Sequence, residues 1–251
     1  YYANKALQAR VYLYMEDYPN ALAAAKEVID SKVYTLYSNA EWVDSWKSEF
    51  GSESIFELAI YPNESDLVNA SFGAYFRRSY HGSSAIIGNF LASDYLLNRL
   101  KEDSEDVRWG VMARDETSAT RLGSIYKYSG GINLEGDKKS SNSTAVNFKV
   151  IRLSEVYLMA AEAALKSDKA LAATYLNAIH MRSPNLTLAD ATTINLDMIA
   201  DERSKELAGE GHRFFDMIRW NKTIEFNDEL GSINTTNRGK TIDRKSNKTI
   251  L

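Results

Sequence analysis

Cysteine is absent from the chain, which removes disulfides, thiol nucleophiles and cysteine-ligated zinc while leaving the compartment open. Histidine is scarce. His81, His180 and His212 stand far apart and no HExxH pattern joins them, so spacing alone assembles no metal site and no cofactor site. No apolar run approaches the roughly 20 residues needed to span a bilayer, because each block, such as residues 21–25 or 156–161, soon meets a charge. A long basic run is missing too. With 30 Lys and Arg against 34 Asp and Glu, the net charge is −4, and nothing concentrates the cations that a phosphate backbone would attract, so no nucleic-acid partner is expected. The nucleophile elbow, the Walker-type phosphate loop and the dinucleotide fingerprint are all missing, which leaves catalytic readings without a motif.

What is present is a globular composition: 251 residues, 44% of them hydrophobic, enough for one sizeable core or two modest ones. An apolar helical pattern is already running at Tyr2, Ala6, Ala9, Val11 and Leu13, with no capping residue or signal peptide ahead of it. The expectation is that this start is a cut and that any targeting segment lies upstream.

Periodicity predicts helices over residues 2–15 and 19–31, separated by Asp17-Tyr18-Pro19. Pro19 suits a helix start, where its missing N–H has no intrahelical partner. Ala9 and Ala21, twelve positions apart, are small residues that let two antiparallel helices approach, as in a TPR-like hairpin. The arrangement recurs over residues 153–165 and 169–182, with Ala160 and Ala172 at the same spacing and Asp168 standing where Asp17 stood. A third pair, residues 195–208 and 212–221, is hinged at Gly209-Glu210-Gly211, glycines that supply the positive φ a helix end commonly requires.

The predicted organisation is therefore a hairpin over 1–33, an irregular, aromatic-rich insertion over 34–149, further TPR-like helices over 150–226, and a polar tail over 227–251 that ends without an obvious stop. Within the insertion, helical spacing survives over 92–101 and, with Trp42 and Trp46 at i and i+4 as a core pair, over 42–50. Residues 54–61 read as a short buried strand, with Phe56, Leu58 and Ile60 on one face and Ile55, Ala59 and Tyr61 on the other. The fold class is mainly α: TPR-like hairpins with a long, mostly irregular insertion, the kind of segment where binding function tends to sit.

Glu202, Glu206 and Glu210 share a helix face, with Arg203 nearby and Arg213 and Arg219 just downstream. Paired carboxylates can run glycoside hydrolysis. Acids beside arginines more often form bidentate ion pairs, which depress a carboxyl pKa rather than raise it as a general acid needs, so the cluster reads as a clamp between repeats. His212 reads as a structural histidine at a helix start, and Asp216 with Arg219 is spaced for a local pair.

The segment Lys149-Val150-Ile151-Arg152-Leu153-Ser154-Glu155-Val156-Tyr157-Leu158-Met159-Ala160-Ala161-Glu162-Ala163 and the block from Glu202-Arg203 to Glu210-Gly211-His212-Arg213-Phe214-Phe215-Asp216-Met217-Ile218-Arg219-Trp220 resemble the signature blocks of the SusD/RagB family. Leu176-Asn177-Ala178-Ile179-His180-Met181-Arg182 is similar to the linking block. Ala9 to Met15, Ser54-Ile55-Phe56-Glu57, Asp106-Val107-Arg108 and Lys127-Tyr128 follow in the family's order. The proline-containing segment usual near the family's end does not appear in the tail. The resemblance implies the C-terminal half of a SusD-like α–α superhelix. It also implies a non-catalytic, cell-surface lipoprotein of the outer membrane in Bacteroidetes-type bacteria, held by an N-terminal lipid anchor absent from this chain. Such a protein captures oligosaccharide or polysaccharide and sits on a SusC-like, TonB-dependent barrel.

A sugar ring offers an apolar C–H face edged by hydroxyls, so its site calls for flat aromatic platforms with polar groups at the rim. The glycine-bounded loop from Phe72 to Gly82 has that composition, and Tyr75, Phe76, Arg77, Arg78, Tyr80 and His81 are the candidate ligand residues, with Trp109 beside Arg108 as a second surface. Arg77, Arg78 and His81 would equally suit a peptide carboxylate, as the RagB branch suggests. A TPR-type interaction scaffold in the cytoplasm and a carbohydrate-active hydrolase are the remaining alternatives. The hydrolase requires two carboxylates about 5–9.5 Å apart across a cleft.

Overall fold

A computed structural model describes residues 1–61, 72–76, 90–112, 123–128, 146–225 and 241–242. The first hairpin is α1 (Tyr2–Tyr14) and α2 (Tyr18–Asp30). Asp17 caps α2 by accepting the Asn20 N–H at 3.3 Å, Pro19 lies in the first turn, and Glu16 turns the chain with a left-handed φ of 59°. α3 (Asn39–Ser45), β1 (Ser54–Leu58), α4 (Phe72–Phe76), α5 (Asp94–Lys101) and a 3-10 turn over Val107–Val111 follow. Then come β2 (Phe148–Arg152), α6 (Leu153–Ala164), α7 (Lys169–His180), α8 (Leu196–Glu206) and α9 (Arg213–Arg219). β3 (Ile224–Glu225) and β4 (Thr241–Ile242) form a minimal antiparallel ladder.

The second hairpin repeats the first in its mechanics. Asp168 caps α7 through the Leu171 N–H at 2.9 Å, as Asp17 caps α2. Ala9, Ala21, Ala160 and Ala172 all have 0% exposure, so each pair of helices closes over side chains no larger than a methyl group. α1 lies against α2, α2 against α6 and α6 against α7, which joins two hairpins distant in sequence into one stack.

α6 is its centre, and every residue in it except Tyr157 is buried. A helix apolar all round belongs in a core, yet this one also carries Glu155 and Glu162, which must find partners there. Arg10 of α1 grips Glu155 with two hydrogen bonds of 2.8 and 2.7 Å. Glu162 accepts from Arg219 and from the Trp220 indole at 2.9 Å. α8 packs on α6, α7 and α5, and Gly209 (φ 77°) and Gly211 (φ 84°) turn the chain into α9.

β1 and β2 pair antiparallel, bringing Glu57 opposite Lys149 and Leu58 opposite Phe148. The strand predicted as buried is buried on one face only. Ile55 and Glu57 point inward, while Phe56 and Leu58 are 44% and 48% exposed. The inner face has an electrostatic cause, since Glu57 lies 3.6 Å from the buried Lys149 ammonium and that pair claims it. Trp42 and Trp46 are core residues, edge to face at 5.8 Å, although α3 ends at Ser45 rather than near 50.

Candidate functional site

The fold gathers a buried network of charge around the end of β2 and α8. The Arg152 guanidinium donates to Glu210 at 2.9 and 2.8 Å, to Glu206 at 3.1 Å and to Glu53 at 3.1 Å. Arg182 reaches Glu53 at 2.7 Å and lies 3.0 Å from Glu206, whose other oxygen accepts from Arg152 and from the Trp42 indole at 3.3 Å. Glu202 takes Arg108 and lies 2.7 Å from the His180 Nδ1, and Lys127 donates to Glu210 and to the Glu206 carbonyl, both at 2.7 Å.

Burial alone would push these carboxyl pKa values up. Arg152 and Lys127 override it and hold Glu210 down at about 2, and Arg108 with Lys205 holds Glu202 well below the usual carboxylate range. Burial lowers the Lys127 ammonium, with Glu210 opposing that shift. Acids locked in the ionised form cannot protonate a leaving group, so this cluster is a clamp in chemistry as well as in position.

The three glutamates do form ion pairs, but not with the arginines adjacent to them in sequence. Arg203 instead binds Asp216 at 2.8 and 3.1 Å, and Arg219 binds Asp216 at 2.9 Å and Glu162 at 2.6 Å. His212 is the buried N-cap of α9, 3.8 Å from Glu155, and burial lowers its imidazole pKa. Among the described residues, no three His, Asp or Glu side chains gather as a metal site.

Above the clamp runs a chain of aromatic contacts. Trp42 meets Trp46, Trp46 meets Tyr128 at 6.3 Å, Tyr128 meets Phe76 at 6.0 Å, and Phe76 and Tyr75 meet Phe90 at 5.6 and 5.5 Å. Lys127 and Arg152 sit 4.6 and 4.9 Å from the Trp46 ring centre, which couples the aromatic chain to the charge network. At its outer end Tyr75 and Phe76 are part-buried and Phe90 is 54% exposed. The Phe90 N–H donates to the Tyr75 carbonyl at 3.0 Å and the Ile125 N–H to the Phe76 carbonyl at 2.9 Å, so the backbone beneath these rings is fixed.

Of the candidate ligand residues, Tyr75 and Phe76 thus share a surface. Arg77, Arg78, Tyr80 and His81 lie outside the described residues. Trp109 does not belong to that surface. It is 6% exposed, packs with Leu96, Leu97, Leu100 and Met112, and donates its indole N–H to the Leu100 carbonyl at 3.1 Å, so no sugar could reach its ring without opening that cluster. Phe90 is the addition that sequence reasoning missed, since it follows an apolar stretch that carries no helical or alternating signal.

The SusD family model matches residues 68–250. The chain belongs to the SusD family. A SusD superfamily protein from Bacteroides thetaiotaomicron shares the fold with a TM-score of 0.83 and 33% identity, over 97% of this chain and 55% of that one. SusD-like protein P25 of Formosa agariphila is 36% identical over 105 residues, 39% of this chain and 20% of that protein. A solved laminarin-binding SusD-like protein aligns with a TM-score of 0.56 and 25% identity, over 88% of this chain and 54% of its own. The chain therefore spans about half the length of these solved SusD structures, and the mainly helical architecture is theirs as well.

Proposed function

We propose that this chain is part of a non-catalytic glycan-capture protein on a bacterial cell surface, which passes oligosaccharide to a TonB-dependent outer-membrane barrel. The observation that carries the reading is family membership across residues 68–250 together with a fold shared over 97% of the chain. A SusD-like relative of similar architecture binds laminarin, which supports a saccharide ligand for this one. The clamp glutamates argue against hydrolysis, because their carboxyls are held ionised by buried arginines and lysines.

Within that reading the ligand surface begins at α4. Tyr75, Phe76 and Phe90 supply ring faces, with Arg77, Arg78, Tyr80 and His81 following as rim donors for sugar hydroxyls. Contact through Phe76 and Tyr128 links these rings to the buried Trp46. An N-terminal lipid anchor would hold the protein in the outer membrane, in keeping with no helix among the described residues being long and apolar enough to cross one.

Calorimetry of the full-length protein against a panel of neutral hexasaccharides and short peptides tests the reading. Micromolar saccharide binding without product release is the expected result. Peptide binding alone, or a hydrolysed glycan, overturns it. Co-purification of a TonB-dependent barrel with the tagged full-length protein tests the partner.

A further inference from the structure

Among the described residues, four that are not glycine adopt a left-handed backbone. Glu16, Lys32 and Asn221 are polar residues just past helix ends, where this conformation is common. Phe50 (φ 49°) is different, being a bulky aromatic residue in a region where its Cβ is crowded. Its ring is 61% exposed, so packing returns little for that crowding.

The surroundings hold the turn in place. The buried Glu57 carboxylate accepts the Phe50 N–H at 3.1 Å, and the buried Lys149 ammonium donates to the Ser48 carbonyl at 2.9 Å. Ser54 N–H closes onto the Gly51 carbonyl at 2.9 Å, and Ser52 N–H donates to the Tyr37 hydroxyl at 2.9 Å. A Cβ on Gly51 would meet that hydroxyl, so a larger residue there requires the Tyr37 ring to shift. Strain that is over-determined by its neighbours and yields no burial marks a functional position.

A cleft with room for one water-sized group opens beside this turn, lined by Tyr37, Trp46, Gly51, Glu53, Lys149 and Arg152. Tyr37, Glu53, Lys149 and Arg152 in its lining carry the donors and acceptors that a sugar hydroxyl needs.

We propose that the Phe50–Gly51 turn is a second saccharide subsite, in which the Phe50 ring stacks on the C–H face of one sugar unit while the adjoining cleft takes a single hydroxyl. The proposal rests on the glycan-capture reading and deepens it, adding a subsite on the α3–β1 connection to the surface that begins at α4.

The test is titration of the full-length protein and its Phe50→Asn and Phe50→Trp variants with laminari-, malto-, xylo- and manno-hexaose, alongside thermal melts. Asparagine tolerates the left-handed backbone, so Phe50→Asn is expected to melt at or above the wild-type temperature while binding about tenfold more weakly. Phe50→Trp keeps the platform and is expected to hold affinity. If the wild type binds a hexasaccharide and Phe50→Asn binds it equally well, the subsite is wrong and the capture reading stands. A lower melting temperature in Phe50→Asn means that the ring serves packing, which also overturns the subsite. If the wild type binds none of the four, both readings fall together.

Discussion

Arg152 and Glu210 are joined by two hydrogen bonds, Nε to Oε2 at 2.9 Å and Nη2 to Oε1 at 2.8 Å, and both side chains are 4% exposed. The same guanidinium also serves Glu53 and Glu206, so one side chain at the end of β2 ties the residue just before β1 to the end of α8 and the turn beyond it. Replacing Arg152 with methionine leaves those carboxylates short of a cation in a buried site. A loss of about 3–5 kcal/mol is expected, because breaking one partner of a buried ion pair costs far more than the intact pair contributes. Urea unfolding of Arg152→Met against wild type measures it, and a loss under 1 kcal/mol contradicts the role assigned to the clamp.

The clamp also sets a pH dependence. Glu210 is held at about 2 in the folded protein, against roughly 4.3 for an unperturbed glutamate. A depressed folded pKa means that the unfolded chain takes up the proton first as pH falls. The contribution is complete above about pH 5, declines as pH drops toward 2, and is gone once the folded carboxyl protonates as well. Urea midpoints measured from pH 7 to pH 3 should fall, and Glu210→Gln should show a shallower fall than wild type. Equal slopes in the two proteins mean that Glu210 does not titrate as argued.

The helices were legible because their causes are local. The caps Asp17 and Asp168 and the glycines at 209 and 211 act within a turn of their own position, and Ala9 with Ala21 and Ala160 with Ala172 act between successive helices, so pattern and spacing suffice. The partners of Glu202, Glu206 and Glu210 were not legible. Arg108 lies 94 residues from Glu202 and Arg152 lies 54 from Glu206, and only the tertiary fold brings them together. Glu57 faces inward for the same reason, since its cation stands on a strand that the sequence places far downstream. Trp109 was misplaced because an aromatic beside an arginine looks like a surface platform when the helix that covers it, Asp94–Lys101, is not yet in view.

The matched caps of the two hairpins give a local prediction. Asp168 accepts the Leu171 N–H at 2.9 Å and Asp17 the Asn20 N–H at 3.3 Å. Alanine at either position should cost about 1 kcal/mol, while asparagine, an equally good cap, should change stability by only a few tenths. Urea melts of the four variants decide the matter. If asparagine costs as much as alanine, the aspartates act through their charge and not through the cap hydrogen bond.

Tyr75 and Trp109 separate binding from folding. Tyr75 lies part-buried at the outer end of the aromatic chain, in contact with the exposed Phe90, whereas Trp109 is enclosed by leucines and its indole N–H is satisfied by Leu100. Truncating a buried tryptophan typically costs about 3–5 kcal/mol, so Trp109→Ala should unfold at a markedly lower urea concentration. Tyr75→Ala should melt within a few degrees of wild type yet bind the preferred hexasaccharide about tenfold more weakly, in line with one lost ring contact. Calorimetry paired with thermal melts on both full-length variants provides the contrast. Unchanged affinity in Tyr75→Ala moves the ligand surface away from Tyr75, since Phe76, the neighbouring ring on Phe90, is committed to packing against Tyr128.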